Sequence, residues 1–160
     1  MAQVIITDQQ AVAESWAMWV RTVILGAIIG LVFWVVSVLL ARYVIEPLVC
    51  RQVVDAAMCT NATPIAGMIT TVLVAVAGIV AMVRMGIARP IVVAVATAAL
   101  LWGLSAWTQG LFWLEAISWS IILYGLTYAL FAWITRYASL LMTIILSVLV
   151  VLVIRIALVL

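Results

Sequence analysis

TVILGAIIGLVFWVVSVLLA, residues 22–41, is a run of twenty residues without a single charge. A helix rises about 1.5 Å per residue, so about 20 apolar residues cross the roughly 30 Å hydrocarbon layer of a bilayer. Four further uncharged runs follow, Ala56–Val83, Pro90–Leu114, Ala116–Thr135 and Tyr137–Ile154, each long enough to do the same. The pattern predicts an all-α membrane protein, a single integral membrane domain over residues 1–160 built as a five-transmembrane-helix bundle. The spans fall at about 22–41, 64–83, 90–107, 111–135 and 137–158.

Composition points the same way. Hydrophobic residues make up 71% of the chain and charged ones 8%, with a mean hydropathy of +1.48; a soluble domain is nearer ~45–50% apolar and ~25% charged. Net charge is +2 and the basic residues are scattered, which gives nucleic acid no footprint. All seven basic residues are arginine. Without His the commonest general base and metal ligand is missing. Without Lys there is no Schiff-base lysine, which excludes a retinal-type pigment. The residues suggest no cofactor and no metal site.

Residues 1–21 carry Asp8, Glu14 and two tryptophans, unlike the short apolar core of a cleaved signal peptide. They read as a short interfacial helix, with Thr7 and Gln10 in capping-box spacing and Trp16 and Trp19 marking a membrane surface. Gly26 and Gly30 form a GxxxG pair, which predicts close approach of another backbone. The loop 42–63 is expected to hold a short amphipathic helix over Pro47–Met58, with Arg51, Gln52 and Asp55 on its polar side. That loop also holds both cysteines. Cys50 and Cys59 are the candidate disulfide, which requires the chain to fold back between them, since nine residues of helix would separate them by roughly 13 Å.

Asn61-Ala62-Thr63 matches a glycosylation triplet, but Thr63 and Pro64 suit the cap and first turn of the second span. That span carries Gly67, Ala75, Ala77, Gly78 and Ala81, and the third carries Ala94, Ala98, Ala99 and Gly103 as close-approach positions. In the fourth, Trp113, Ala116, Ser120, Tyr124, Thr127 and Phe131 share about a third of the helical circumference. Ser139, Thr143 and Ser147 make a second polar line in the fifth. Consecutive antiparallel helices are expected to bring these two hydroxyl-bearing faces together.

Glu115 and Arg155 are the candidate functional or ion-paired charges. They stand at nearly equal distance from the turn at Arg136, so an ion pair near the outer interface is expected, with Arg42 or Arg51 as alternative partners for Glu115. Arg21, Arg84, Arg89 and Arg136 on one side against Arg42, Arg51 and Arg155 on the other favour a cytoplasmic N-terminus and an outer C-terminus in the cell membrane.

The function expected from these features is that of a non-enzymatic small polytopic membrane protein, a structural or accessory subunit. Its partners are the lipid bilayer and either further copies of itself or other membrane subunits. A small transporter or channel using the polar face of the fourth and fifth spans is the alternative. A membrane thiol oxidoreductase using Cys50 and Cys59 is the weaker one, because such chemistry rests on CxxC pairs and none is present.

Overall fold

The computed structural model describes residues 2–49, 62–87, 89–137 and 139–159, with side chains from residue 16 onward except 49, 137, 158 and 159. The elements run in order α1 (Ala2–Leu40), a π-helical segment (Ala41–Ile45), α2 (Glu46–Val49), α3 (Ala62–Arg84), α4 (Pro90–Leu100), α5 (Leu104–Trp107), α6 (Trp113–Tyr137) and α7 (Leu140–Val159). Among the described residues there is no strand. Five stretches are long and apolar enough to cross a membrane: Trp16–Leu48, Ala62–Arg84, Pro90–Trp107, Trp113–Arg136 and Leu140–Ala157. The short interfacial helix expected before the first span is instead continuous with it. α1 runs unbroken for 39 residues, roughly 58 Å and so about twice the hydrocarbon thickness. Thr7 therefore lies inside this helix rather than at a cap, because no proline or glycine before Gly26 interrupts the helical run.

α1 and α6 form the central pair. The two helices run antiparallel and meet where side chains are absent. A Cβ placed on Gly26 would stand 2.7 Å from the Tyr124 carbonyl oxygen and 2.9 Å from the Gly125 Cα. One placed on Gly30 would run into the Ser120 carbonyl oxygen and come within 3.0 Å of the Ile121 Cα. Gly125 returns the contact from α6, with its own Cβ position 3.4 Å from the Val23 oxygen. Where lipid and side chain are equally apolar, helices are held by close van der Waals packing, which small residues permit. The GxxxG expectation is met within one chain.

α3 closes on the same core by the same device. Its Gly67 receives the Ser105 side chain from α5, and its Gly78 receives the Tyr128 phenol from α6. Around these contacts Leu25, Ile29, Phe33, Val74, Met82, Val93, Tyr124, Tyr128 and Phe131 form the buried core. Phe33 and Tyr124 pack with ring centroids 5.1 Å apart. A smaller apolar cluster, Ala41, Ile45, Ala62 and Ala66, ties the π-helical segment to the start of α3. That helix is described from Ala62, so Thr63 sits in its first turn rather than capping it.

The third span is broken, where a continuous helix was expected. α4 stops at Leu100, Gly103 adopts φ 87°, and α5 adds a single further turn. Gly103 thus serves the backbone and not a neighbouring helix: a Cβ there would meet nothing within 4 Å. Gly110, at φ 86°, turns the chain into α6 in the same way. Glu46–Val49 continues the first helix past the expected end near Ala41; the rest of the predicted amphipathic segment, with Cys50, Arg51, Gln52 and Asp55, lies outside the described residues, as does Cys59.

Gly30→Ala is expected to destabilise the protein by about 1–3 kcal/mol, the usual cost of overpacking. Val35→Ala, on the exposed face of the same helix, serves as the reference. Thermal unfolding in detergent compares them, and equal shifts would place the Gly26/Gly30 face outside the core.

Candidate functional site

Hydroxyl groups are the commonest polar groups inside the bundle, and most are satisfied within their own helix. Thr22 donates to the Met18 carbonyl, Thr70 to Ala66, Thr71 to Gly67, Ser120 to Ala116 and Thr127 to Leu123, all at 2.6–2.8 Å. Back-bonding of this kind satisfies the donor without crossing to a neighbour. Among the described residues, the buried hydroxyls of Tyr124, Thr97, Ser105 and Ser147 have no hydrogen-bond partner.

The two polar lines do not meet. Ser120 and Tyr124 face α1, whose glycines admit the backbone of α6 there. Thr127 faces a lateral cavity instead. Ser139, just before α7, is exposed, while Thr143 and Ser147 on α7 are buried. Thr143 accepts a 2.7 Å hydrogen bond from Arg89 Nη1, which turns this line towards the start of α4. Arg89 holds a left-handed backbone conformation, φ 56° and ψ 53°, directly before Pro90. Such a conformation costs a non-glycine residue about 1–2 kcal/mol, so the contact with α7 is made from a strained residue.

Arg155 makes the matching contact at the other end. Its Nη2 donates to the carbonyl oxygens of Ala99, at 3.0 Å, and Trp102, at 2.6 Å. These oxygens belong to the helix end opened by the break at Gly103, where the last carbonyls have no intrahelical donor. The ion pair expected with Glu115 is accordingly not formed. α4 runs parallel to α7 and brings its open carbonyls to Arg155, whereas Glu115 lies exposed in the first turn of α6. An acid there and Arg136 in the last turn complement the dipole of that helix.

Two cavities open on the side of the bundle that α7 covers thinly. The larger, of about 630 Å³, is walled by Leu100 of α4 and Leu101 just after it, Trp107 of α5, Leu123, Leu126, Thr127 and Leu130 of α6, and Ile154 of α7. The smaller, of about 460 Å³, lies at the end of the bundle where Trp16, Met18, Trp19, Ile87 and Arg136 converge. Trp19, Ala129 and Trp133 line both, so the two adjoin along these side chains. Arg136 is exposed, with its Nη1 3.9 Å from the Met18 sulfur, and Trp16 and Trp19 stack with centroids 5.8 Å apart. Sequence reasoning placed these tryptophans at a membrane surface and Arg136 at a turn, but did not join them. The signal available was the Trp133–Arg136 spacing at the end of the fourth span.

Among the described residues no group of His, Cys, Asp and Glu gathers as a metal site. Comparison with known proteins finds no matching family, no similar curated protein and no similar solved structure.

Arg155→Ala should destabilise the bundle by about 1.5–3 kcal/mol, the worth of hydrogen bonding from a charged group, and should speed amide exchange in α7. In a double-mutant cycle, Glu115→Gln and Arg155→Gln should give additive shifts in thermal unfolding. A coupling energy between them would restore the ion pair.

Proposed function

We propose that this chain is a non-enzymatic, multi-pass accessory subunit of the cell membrane, and that α7 packs against the α7 of a second copy. The observation that carries this reading is the coverage of the five long helices. In their most apolar stretches, 33–44% of residues are buried for the first four and 11% for the fifth. The outward side of α7 presents Met142, Ile145, Leu149, Leu152 and Ile156, each more than half exposed. Their spacing alternates three and four residues, the 3.5-residue repeat that favours a left-handed helix pair. Such left-handed packing is the commoner arrangement in membrane bundles. The small residues that seemed available for self-association, Gly26, Gly30, Gly67 and Gly78, are occupied within the chain. A partner would thus meet large interlocking side chains.

The same reading places the N-terminus in the cytoplasm and the C-terminus outside. One end of the bundle gathers the side chains of Arg21, Arg84, Arg89 and Arg136 with no acid among the described side chains. The other gathers Arg42 and Arg155 with Glu46 and Glu115, which cancel. Arginine excess in short connections marks the cytoplasmic side. A transport path along the polar faces has less support, because those hydroxyls are bonded within their own helices or point to different neighbours.

With Cys50 and Cys59 replaced by serine, Leu149→Cys should form disulfide-linked dimers in oxidised membranes, and Ile28→Cys on the far side of the bundle should not. Linkage at neither position, or equally at both, would remove the dimer. A different polypeptide linked at Leu149 would put another subunit in its place. In the same background a membrane-impermeant maleimide should label Tyr43→Cys on intact cells and Met85→Cys after permeabilisation; the reverse order would invert the topology.

A further inference from the structure

Three markers of membrane depth on one side of the bundle lie closer together than the hydrocarbon of a bilayer is thick. The first is a pair of guanidinium groups, Arg89 on the Thr143 hydroxyl and Arg155 on the Ala99 and Trp102 carbonyls. Thr143 and Arg155 are 12 residues apart on α7, roughly 18 Å of rise, and arginine heads gather where water or headgroups reach them. The second is the broken span. α4 keeps its hydrogen-bond ladder for 11 residues, roughly 16 Å, before the turn at Gly103. Non-helical backbone at membrane depth stands only where protein covers it or water reaches it, and Trp102 in this turn is exposed. The third is Trp119 and Trp133, 14 residues apart on one face of α6 and both more than half exposed. Indole rings prefer headgroup depth, and these two are separated by roughly 21 Å.

The opposite side is longer. α3 runs from Ala62 to Val83 and α1 from Thr22 to Ala41 without a charge, roughly 33 Å and roughly 30 Å of helix. Direct contacts fix the relative heights. Gly30 of α1 lies against the Ser120 backbone and Gly67 of α3 against the Ser105 side chain. Trp119 is therefore level with Val32, and Trp102 with Ile69, to within about one helical turn. Val32 and Ile69 stand well inside uncharged runs, while across the bundle the same level holds a tryptophan and the helix break. We infer that the bilayer is thinned against the side built by α4, α6 and α7. Headgroups and water of the leaflet nearer the C-terminal end descend there to Arg155 and Trp119, leaving about 20 Å of hydrocarbon in place of about 30 Å. Headgroups of either charge serve, because the surface selects for depth and not for sign. The inference rests on the membrane setting of the proposed function and not on its α7 dimer, which Leu149→Cys linkage tests separately.

The test is nitroxide depth measurement by electron paramagnetic resonance on the full chain in dioleoylphosphatidylcholine vesicles, with Cys50 and Cys59 replaced by serine. Labels at Trp119→Cys are compared with Val32→Cys and, independently, labels at Trp102→Cys with Ile69→Cys, all exposed positions. Thermal unfolding confirms that each labelled variant folds. In both comparisons the first label should lie shallower by about 10 Å, the difference between the two thicknesses. Leu126→Cys and Ile24→Cys, held level by the contacts of Gly26 with Tyr124 and of Gly125 with Val23, should read deep and alike. Water exposure at that central pair removes the membrane setting and the inference with it. With the central pair deep, equal depths within the Trp119 or the Trp102 comparison overturn the thinning alone. A central pair displaced as far as the other two also overturns it, because a tilted bundle in a bilayer of uniform thickness shifts all three comparisons together.

Discussion

The backbone contact between α1 and α6 sets the position of everything else. Lipid tails solvate an apolar side chain as well as another side chain does, so burial alone does not draw helices together in a bilayer. What distinguishes one helix pair from another is how near the backbones come. Gly26 and Gly30 on one side and Gly125 on the other let main chain touch main chain. With that distance fixed, the rotation of α6 is fixed too. Tyr124 is then carried against Phe33 and Tyr128 against Gly78 of α3, so one interface determines where the third helix of the core docks.

α7 is held by a different force. It shares little buried surface with the core, yet it is anchored near both ends by arginines. Arg89 reaches it from the start of α4 at Thr143, and Arg155 reaches back from it to Ala99 and Trp102. In a low-dielectric layer a charged donor on a carbonyl is stronger than in water and costly to leave unmet. The break at Gly103 therefore does more than bend the third span. It exposes the carbonyls that give Arg155 a place to bind, and an arginine near the chain's C-terminal end becomes a staple rather than half of an ion pair.

Much of this was legible in the residues. Twenty-residue gaps between charges locate the long helices because an uncharged run of that length is long enough for a membrane-crossing helix, and the expected spans agree with the helices to within several residues. Gly26 and Gly30 were read correctly as close-approach positions. Gly103 was not, because a glycine that loosens a helix and one that packs against a neighbour look alike in sequence; the φ of 87° decides between them. The polar stripe of α6 was read correctly as buried from Ala116 to Phe131, though Trp113 at its start is exposed, and its partner was misread. A helical wheel gives the face and says nothing of which neighbour lies across from it, and the glycines of α1 outcompete the hydroxyls of α7 for that side. The pairing of Glu115 with Arg155 rested on depth alone, and depth leaves the rotation of each helix free. Cys50 and Cys59 fall outside the described residues, so their pairing stays where the sequence left it.

The larger cavity follows from the same two kinds of contact. Glycine packing draws α1, α3 and α6 into a dense unit, while arginine contacts near its ends hold α7 to α4 rather than to α6. A helix clamped near its ends by long polar side chains need not fill the space along its middle. That space opens beside α6, between Leu123 and Trp133, and its walls are leucine and tryptophan because nothing polar was required there. Arg136 lines the adjoining cavity for an unrelated reason, as the basic residue that ends α6 and complements its dipole.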